Sequence, residues 1–530
     1  MGRGDCDILI IGAGHNGLVC AYYLARAGMK VTVLERRHVV GGAAVTEEFA
    51  PGFRNSTASY TVSLLQPKVI ADMGLERHGL KVVLRKVDNM LPTVEGPYIL
   101  GGRGGLTRRE IARHSAADAE AYDDYAAALD GVVRVLRKWI LRAPPNVGGG
   151  LGDIGAALSL GNDVRGLDPE ERRNLLDFFT KSAGDILRRY FSNDLVQALF
   201  GFDAVVGNYA SPESPGSAYV LLHHVFGEAA GVPGAWGHAI GGMGAITQAM
   251  AKACHAAGVE IVLEAPVEEL IVEEGRAVGA VAKGKAWRAR AVAAGVNPKL
   301  LFRDLVPDGA VAPEIARRMA GWASESATFR MNVALSELPR FTSLPQPGDH
   351  LTAGIVMSPS LAHMDRAYLT ARAGPWSADP VIEMLIPSTL DDSLAPPGAH
   401  VASLFCQHFP YDVEGGWEAR VDEAADHVIA TVDRYAPGFA ASVVGRLALS
   451  PWHLEQRFGL VGGDIFHGKM GLDQLFSSRP MLGHADHRMP LEGLYLCGSG
   501  AHPGGGVTGA PGHNAARTIL ADRKKLARLR

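Results

Sequence analysis

Cysteine is scarce in this sequence and poorly spaced for crosslinking. Its five residues, Cys6, Cys20, Cys254, Cys406 and Cys497, are an odd number without a C-x-x-C pair. That spacing argues against a disulfide framework, a zinc site and a C-x-x-C redox dithiol, and it fits a reducing compartment. An excess of one charge is also missing. With Lys plus Arg at 52 and Asp plus Glu at 56, the net charge of -4 offers no basic field for nucleic acid. No run approaches the roughly 18 consecutive apolar residues of a spanning helix. The apolar stretch Ile8-Leu9-Ile10-Ile11 comes too early to leave room for a secretion signal before it. The expected location is cytoplasmic, with neither signal peptide nor transmembrane segment. From about Leu300 to Met470 there are no detectable internal repeats or low-complexity tracts either.

Glycine, by contrast, is abundant: 64 of 530 residues, about 12% against roughly 7% on average, which points to tight turns and close backbone approaches to something bound. The length suggests two to four domains around a sizeable core.

The chain opens as strand, turn, helix, strand: Ile8 to Ile11, Gly17 to Ala27, a break at Gly28, then Val31 to Leu34. A second region is helical, with Val132, Val135, Leu136, Trp139 and Ile140 at helix spacing. Pro144-Pro145 and Gly148 to Gly150 close that helix and begin a flexible connection, and Asp168-Pro169-Glu170-Glu171 starts another helix. The α/β pattern returns near Gly241-Gly242, with a helix from about Ala245 to Ala257 and strands after it. Residues from about Leu300 to Met470 read as a mainly β layer. The end restores the first pattern, with a short strand at Leu494 to Leu496 and a helix from Ala510 to Leu529. The expected fold class is α/β: a discontinuous Rossmann-like nucleotide-binding domain (1–75, 230–299, 480–530), a β-sheet substrate domain (76–115, 300–479) and a helical insertion (116–229).

Gly12-Ala13-Gly14-His15-Asn16-Gly17 lies between a strand and a helix, the context that makes G-x-G-x-x-G a dinucleotide fingerprint. Gly12 and Gly14 let a pyrophosphate approach, the helix N-terminus supplies N–H groups and a positive dipole end, and Gly17 allows close helix–strand packing. Glu35 closes the second strand, 23 residues after Gly12, where its carboxylate can accept from ribose hydroxyls; Arg36 is grouped with it. This acid argues against a 2′-phosphate but does not separate NAD from FAD.

Gly41-Gly42 and Thr46 follow, and the assembled pattern resembles the flavin superfamily of amine oxidases, carotenoid desaturases and GDP-dissociation inhibitors. Near the other end, Leu494-Tyr495-Leu496-Cys497-Gly498-Ser499-Gly500-Ala501-His502-Pro503-Gly504-Gly505-Gly506-Val507-Thr508-Gly509 is similar to the C-terminal flavin motif of the phytoene desaturase-like FAD-dependent oxidoreductases. The resemblance implies FAD as cofactor and the cofactor residues Gly12, Gly14, Gly17, Glu35, Arg36, Gly41, Gly42, Val267, Gly498, Gly505, Gly506 and Val507. It also implies that Val267 reaches the adenine end through its backbone and that the helix starting near Pro511 points at the flavin ring. Where carotenoid desaturases tend to carry Asp and Gly, Ser56 and Ala58 stand here, which counts against carotenoid desaturation.

Among side chains near the ring, His502 is the candidate catalytic base; a hydrogen-bonded structural role is its alternative, as it is for His238. Tyr60 and Trp236 are candidates for the wall of an apolar substrate channel, or for plain core. His223-His224 has no further ligands at metal spacing, so no metal is expected. The Val132 to Arg142 helix, with Arg134, Arg137, Lys138 and Arg142, has the make-up of a peripheral membrane contact or of a packed helix with a basic face. The expected activity is hydride removal from an apolar or amine-like small molecule, with oxygen, a quinone or another acceptor downstream; acceptor and oligomeric state stay open. A non-catalytic binding protein on the same fold, a nicotinamide-only dehydrogenase and a carotenoid desaturase or isomerase are the alternatives.

Overall fold

A computed structural model describes residues 6–528, and the far end of the expected terminal helix, Leu529, lies outside them. Residues 8 to 11 are apolar without alternation because their strand is covered on both faces, as parallel strands are. Cys6–Ile11 pairs in parallel with Val31–Leu34 on one side and with Lys285–Ala294 on the other. The full sheet runs Glu260–Val262, Val31–Leu34, Cys6–Ile11, Lys285–Ala294, Arg276–Ala282, Val267–Glu273, and Leu494–Leu496 also pairs with Lys285–Ala294. Three stretches of chain far apart in sequence thus meet in one sheet. Helices His15–Arg26, Met243–Ala256 and Ala510–Ala521 pack together beside it.

A second sheet has the order Val443–Leu449, Thr328–Leu335, His400–Gln407, Val381–Leu385, Gly354–Met357, Asn89–Leu91, Ile99–Gly101. The region from 300 to 470 is less purely β than its proline-rich turns suggest: Leu361–Ala373 and Trp417–Tyr435 are helices. The second buries Ala424, Ala425, Val428, Thr431, Val432 and Tyr435, a 3.6-residue stripe, against the second core.

The third layer is helical. Ala116–Ile140, Pro169–Thr180, Ala183–Tyr190, Asp194–Gly201 and Ala218–Val225 share one core with Phe405 and Phe466. Asp168 caps its helix with a full capping box involving Glu171. One expectation is corrected here. The connection before Asp168 contains a helix, Leu151–Arg165, none of whose residues is buried. Of the two readings of the Ala116–Ile140 helix, its burial fits the packed one: Val132, Val135, Leu136 and Ile140 are all buried. Two of its cations are engaged as well, Arg134 with Glu171 and Arg137 Nε with the Phe226 carbonyl at 2.8 Å. Among the described residues no helix is long and apolar enough to cross a membrane. The terminal helix breaks at Asp522 into Ala510–Ala521 and Arg523–Arg528.

Candidate functional site

The Gly12–Gly17 turn joins the first strand to the first helix. Gly12 has φ +93°, and added Cβ atoms at Gly12 and Gly14 would meet nothing within 4 Å, so open space lies in front of the turn. Gly17 behaves oppositely. A Cβ there would overlap the Gly12 carbonyl oxygen, so helix and strand touch through it. No side chain caps the N-terminus of His15–Arg26, leaving its first N–H groups available to an anion.

Glu35 is 5% exposed at the end of its strand. Its Oε2 accepts from Ala13 N at 2.8 Å and its Oε1 from Arg37 N at 2.9 Å, tying the turn to the segment after the second strand. Further lone pairs remain for a ligand hydroxyl. Gly41 N donates to the Ala13 carbonyl at 2.9 Å, and Gly42 lies against Gly14. Arg36 is exposed and gives Nη2 to the Gln456 carbonyl at 3.4 Å, away from the turn. Val267 begins its strand close by, since Ala265 N donates to the Glu35 carbonyl at 2.7 Å.

The C-terminal loop comes back to the same place. The His15 ring nitrogen Nε2 is 3.1 Å from the Gly506 carbonyl, and Asn16 Nδ2 donates to Ser499 Oγ at 3.0 Å. Gly498 sits on the Gly295 backbone, where a Cβ would lie 2.7 Å from the Gly295 oxygen. Gly505 is glycine because a side chain would overlap Phe466, and Gly506 because its φ is +94° and Leu64 stands beside it. Their absence of side chains is thus set by protein packing as much as by room for a ring.

Between the turn, this loop and the second sheet opens a cavity, mostly apolar in lining. His15, Gly506 and Val507 form one wall; Tyr60, Glu383 and Phe405 are on the sheet side; Phe202 and Val206 come from the helical layer. Tyr60 and Trp236 both line it.

His502 does not. Its loop turns the ring outward, where Nε2 meets the Trp139 carbonyl at 3.1 Å and the ring lies 5.3 Å from that of Phe476. Burial pushes its pKa down to about 3, so the ring stays neutral in an apolar seat, and the expectation of a catalytic base is corrected to a packing residue. His238 is likewise away from the large cavity, 3.0 Å from Asp391 Oδ2.

Sequence reasoning missed His15, His467 and Glu383, which do line the cavity. His15 was hidden inside the fingerprint as one of its variable positions. His467 carries φ +57°, and its buried Nδ1 has no hydrogen-bond partner among the described residues; burial, then the neighbouring charges of His15 and Arg479, pushes its pKa down to about 4. Arg479 was missed too. Fully buried, it gives Nη2 to the carbonyls of Phe466 and Ser499, each at 2.8 Å, and so locks the loop bearing His467 to the C-terminal loop.

Residues 17–324, more than half of the chain, match the family model described as flavin containing amine oxidoreductase. The chain belongs to this family. It is 40% identical to the rat pyridine nucleotide-disulfide oxidoreductase domain-containing protein 2 over 99% of this chain and 95% of that one. It is 28% identical to a subunit of the limonene dehydrogenase of Castellaniella defragrans over 98% and 95%. Among solved structures, a redesigned putrescine oxidase shares the fold at TM-score 0.60 and 17% identity, over 98% of this chain and 99% of that one. As a family member the protein is an FAD-dependent oxidoreductase. The structure fits the cofactor: open space fronts Gly12 and Gly14, the first helix is uncapped, and the side-chain oxygen Oδ1 of Asn16 is buried beside the turn without a partner among the described residues.

Proposed function

We propose that the protein removes hydride from an apolar or amine-like small molecule held in the central cavity, as a phytoene dehydrogenase-like member of its family. The observation that carries this reading is the cavity itself, mainly apolar and bounded at one end by the two glycine-rich segments and at the other by the second sheet. The name of the limonene dehydrogenase relative, which matches over nearly the whole chain, supports an apolar substrate. FAD, when bound, would supply the two-electron acceptor, with oxygen, a quinone or another acceptor downstream.

The chain's own residues bind, orient and exclude water. Gly12, Gly14 and the first helix N-terminus would take the pyrophosphate, and Glu35 the adenosine ribose, with Val267 beside the adenine end. The helix Ala510–Ala521 starts at Gly509 with no side-chain cap on that residue, so its positive end would favour negative charge on a reduced ring by about 0.3–2 kcal/mol. Phe202, Val206, Phe405 and Leu460 present apolar surface to the substrate and keep water from the reacting carbon. His15 and His467, both pushed down to about 4 mainly by burial, remain neutral at physiological pH; each can share a proton in a hydrogen bond without bringing a charge to the chamber.

The test is the absorption spectrum of the purified protein, followed by anaerobic mixing with limonene and with cyclohexylamine. A flavin spectrum that bleaches with one of these is the expected result. Failure to bind FAD after reconstitution overturns the reading, and tight FAD binding without reduction by apolar or amine probes favours the non-catalytic alternative.

A further inference from the structure

On the sheet side, the cavity wall carries a polar cluster that hydride removal does not by itself require. Tyr60 Oη donates to Glu383 Oε2 at 2.5 Å, and both residues line the cavity. Glu383 is 4% exposed. Behind them lie two buried guanidinium groups. Arg330 sits 4.4 Å from the centre of the Tyr60 ring and donates to the carbonyls of Ala58 and Leu404 and to Ser403 Oγ. Arg85 donates to Thr61 Oγ1 at 2.7 Å and to the Asp88 carbonyl, and its Nη1 and the Glu383 carboxylate flank the same face of Gly354.

The balance of donors and acceptors at this wall is uneven. The phenol's one proton goes to Glu383, and neither guanidinium is part of the cavity lining. The carboxylate, which has about four lone-pair sites, receives one hydrogen bond among the described residues, from Tyr60. In the Tyr60–Glu383 pair acceptors are therefore left over and the phenolic donor is already used. A ligand that satisfies this pair must donate, as a hydroxyl or an ammonium does.

Charge separates the two. Arg85 and Arg330 place two guanidinium cations behind the Glu383 carboxyl, whose pKa burial raises and these cations pull back down, and two further carboxyls face Arg85: Asp88, raised by burial, and Asp203, pushed up to about 7 by burial and then by the charge of Glu383. At neutral pH the cluster already has its counter-charges, and an ammonium would add a third cation where water screens poorly. We infer that Tyr60 and Glu383 form a recognition subsite for the hydroxyl group of a neutral, otherwise apolar ligand, with the hydroxyl donating to the Glu383 carboxylate. The inference rests on the cavity being the substrate chamber and narrows its occupant from apolar or amine-like molecules to neutral alcohols.

The experiment titrates FAD-loaded protein at neutral pH with cyclohexanol, methylcyclohexane and cyclohexylamine, the last a cation there. Binding is followed by calorimetry and by perturbation of the flavin spectrum. Cyclohexanol is expected to bind tighter than either of the others by about ten-fold or more. Glu383→Gln replaces one acceptor oxygen by a donor, so the preference for cyclohexanol over cyclohexanone should fall by about ten-fold or more, a change that a purely structural residue would not produce. Equal or tighter binding of cyclohexylamine or methylcyclohexane, no binding of cyclohexanol, or an unchanged alcohol-to-ketone preference in Glu383→Gln overturns the inference. If Glu383→Gln does not fold, the ranking of the three ligands on the native chain decides it. A protein that holds no FAD refutes the hydride-removal reading separately, and the calorimetric ranking still judges the subsite.

Discussion

Replacing Glu35 by alanine tests whether the carboxylate that pins the dinucleotide turn also holds the cofactor. The native side chain is buried and accepts from Ala13 N at 2.8 Å and from Arg37 N at 2.9 Å. A hydrogen bond to a charged group contributes about 1.5–3 kcal/mol. If a ribose hydroxyl of FAD uses one of the remaining lone pairs, Glu35→Ala removes that bond and raises the FAD Kd about 10- to 150-fold. The two orphaned backbone N–H groups add to this by loosening the turn, because Ala13 stands between the two glycines whose open faces front the phosphates. Glu35→Gln keeps one acceptor but turns an NH2 toward one of the two N–H donors, so its loss should fall between wild type and alanine. The assay is equilibrium FAD binding by recovery of free-flavin fluorescence at fixed ionic strength, with thermal melting of the FAD-free proteins measured alongside. A wild-type Kd in Glu35→Ala refutes the reasoning, and a lowered melting temperature with unchanged Kd would reduce Glu35 to a structural pin.

Three further expectations follow from the geometry. His502→Ala should lower the melting temperature while FAD reduction proceeds within about three-fold of wild type, since the ring packs on Trp139 and Phe476 outside the cavity; stopped-flow reduction of the FAD-loaded variant checks it, and a loss of about 100-fold or more would restore the base assignment. Asp203 has a folded pKa raised to about 7 by burial, so the folded state holds a proton the unfolded chain has lost, and its contribution to stability is present below about pH 4 and lost as pH rises to about 7. A rise from 3.8 to about 7 corresponds to at most about 4 kcal/mol; Asp203→Asn should therefore melt higher than wild type at pH 8, with the difference vanishing toward pH 4, and parallel melting curves across that range would refute it. Gly506→Ala forces a side chain onto a backbone at φ +94° beside Leu64, a cost of about 1–3 kcal/mol that should show as weaker FAD retention with the helical layer intact by circular dichroism.

Much of the cofactor side was legible because nucleotide binding depends on local backbone chemistry. A strand, three spaced glycines, a helix start and an acid at the end of the next strand are contiguous features, and Gly17 and Glu35 take the packing and hydrogen-bonding positions that their spacing implies. The discontinuous α/β sheet was legible for a similar reason, since unalternated apolar runs at 8–11, 291–294 and 494–496 belong to strands covered on both faces. The helices at 151–165 and 417–435 were less so, one because glycines interrupt its pattern and the other because proline-rich neighbours mask its stripe. What the chain does at its substrate end was decided only by the tertiary structure. His502 lies in the right motif, yet its loop aims the ring at Trp139, and no local rule predicts the direction of a side chain in a glycine-rich loop. Tyr60, Glu383, Arg85 and Arg330 stand far apart in sequence and carry no motif; they become one cluster, two on the cavity wall and two behind it, only when a loop after the hairpin at 46–56 meets the second sheet, because burial, and not spacing, is what couples their charges.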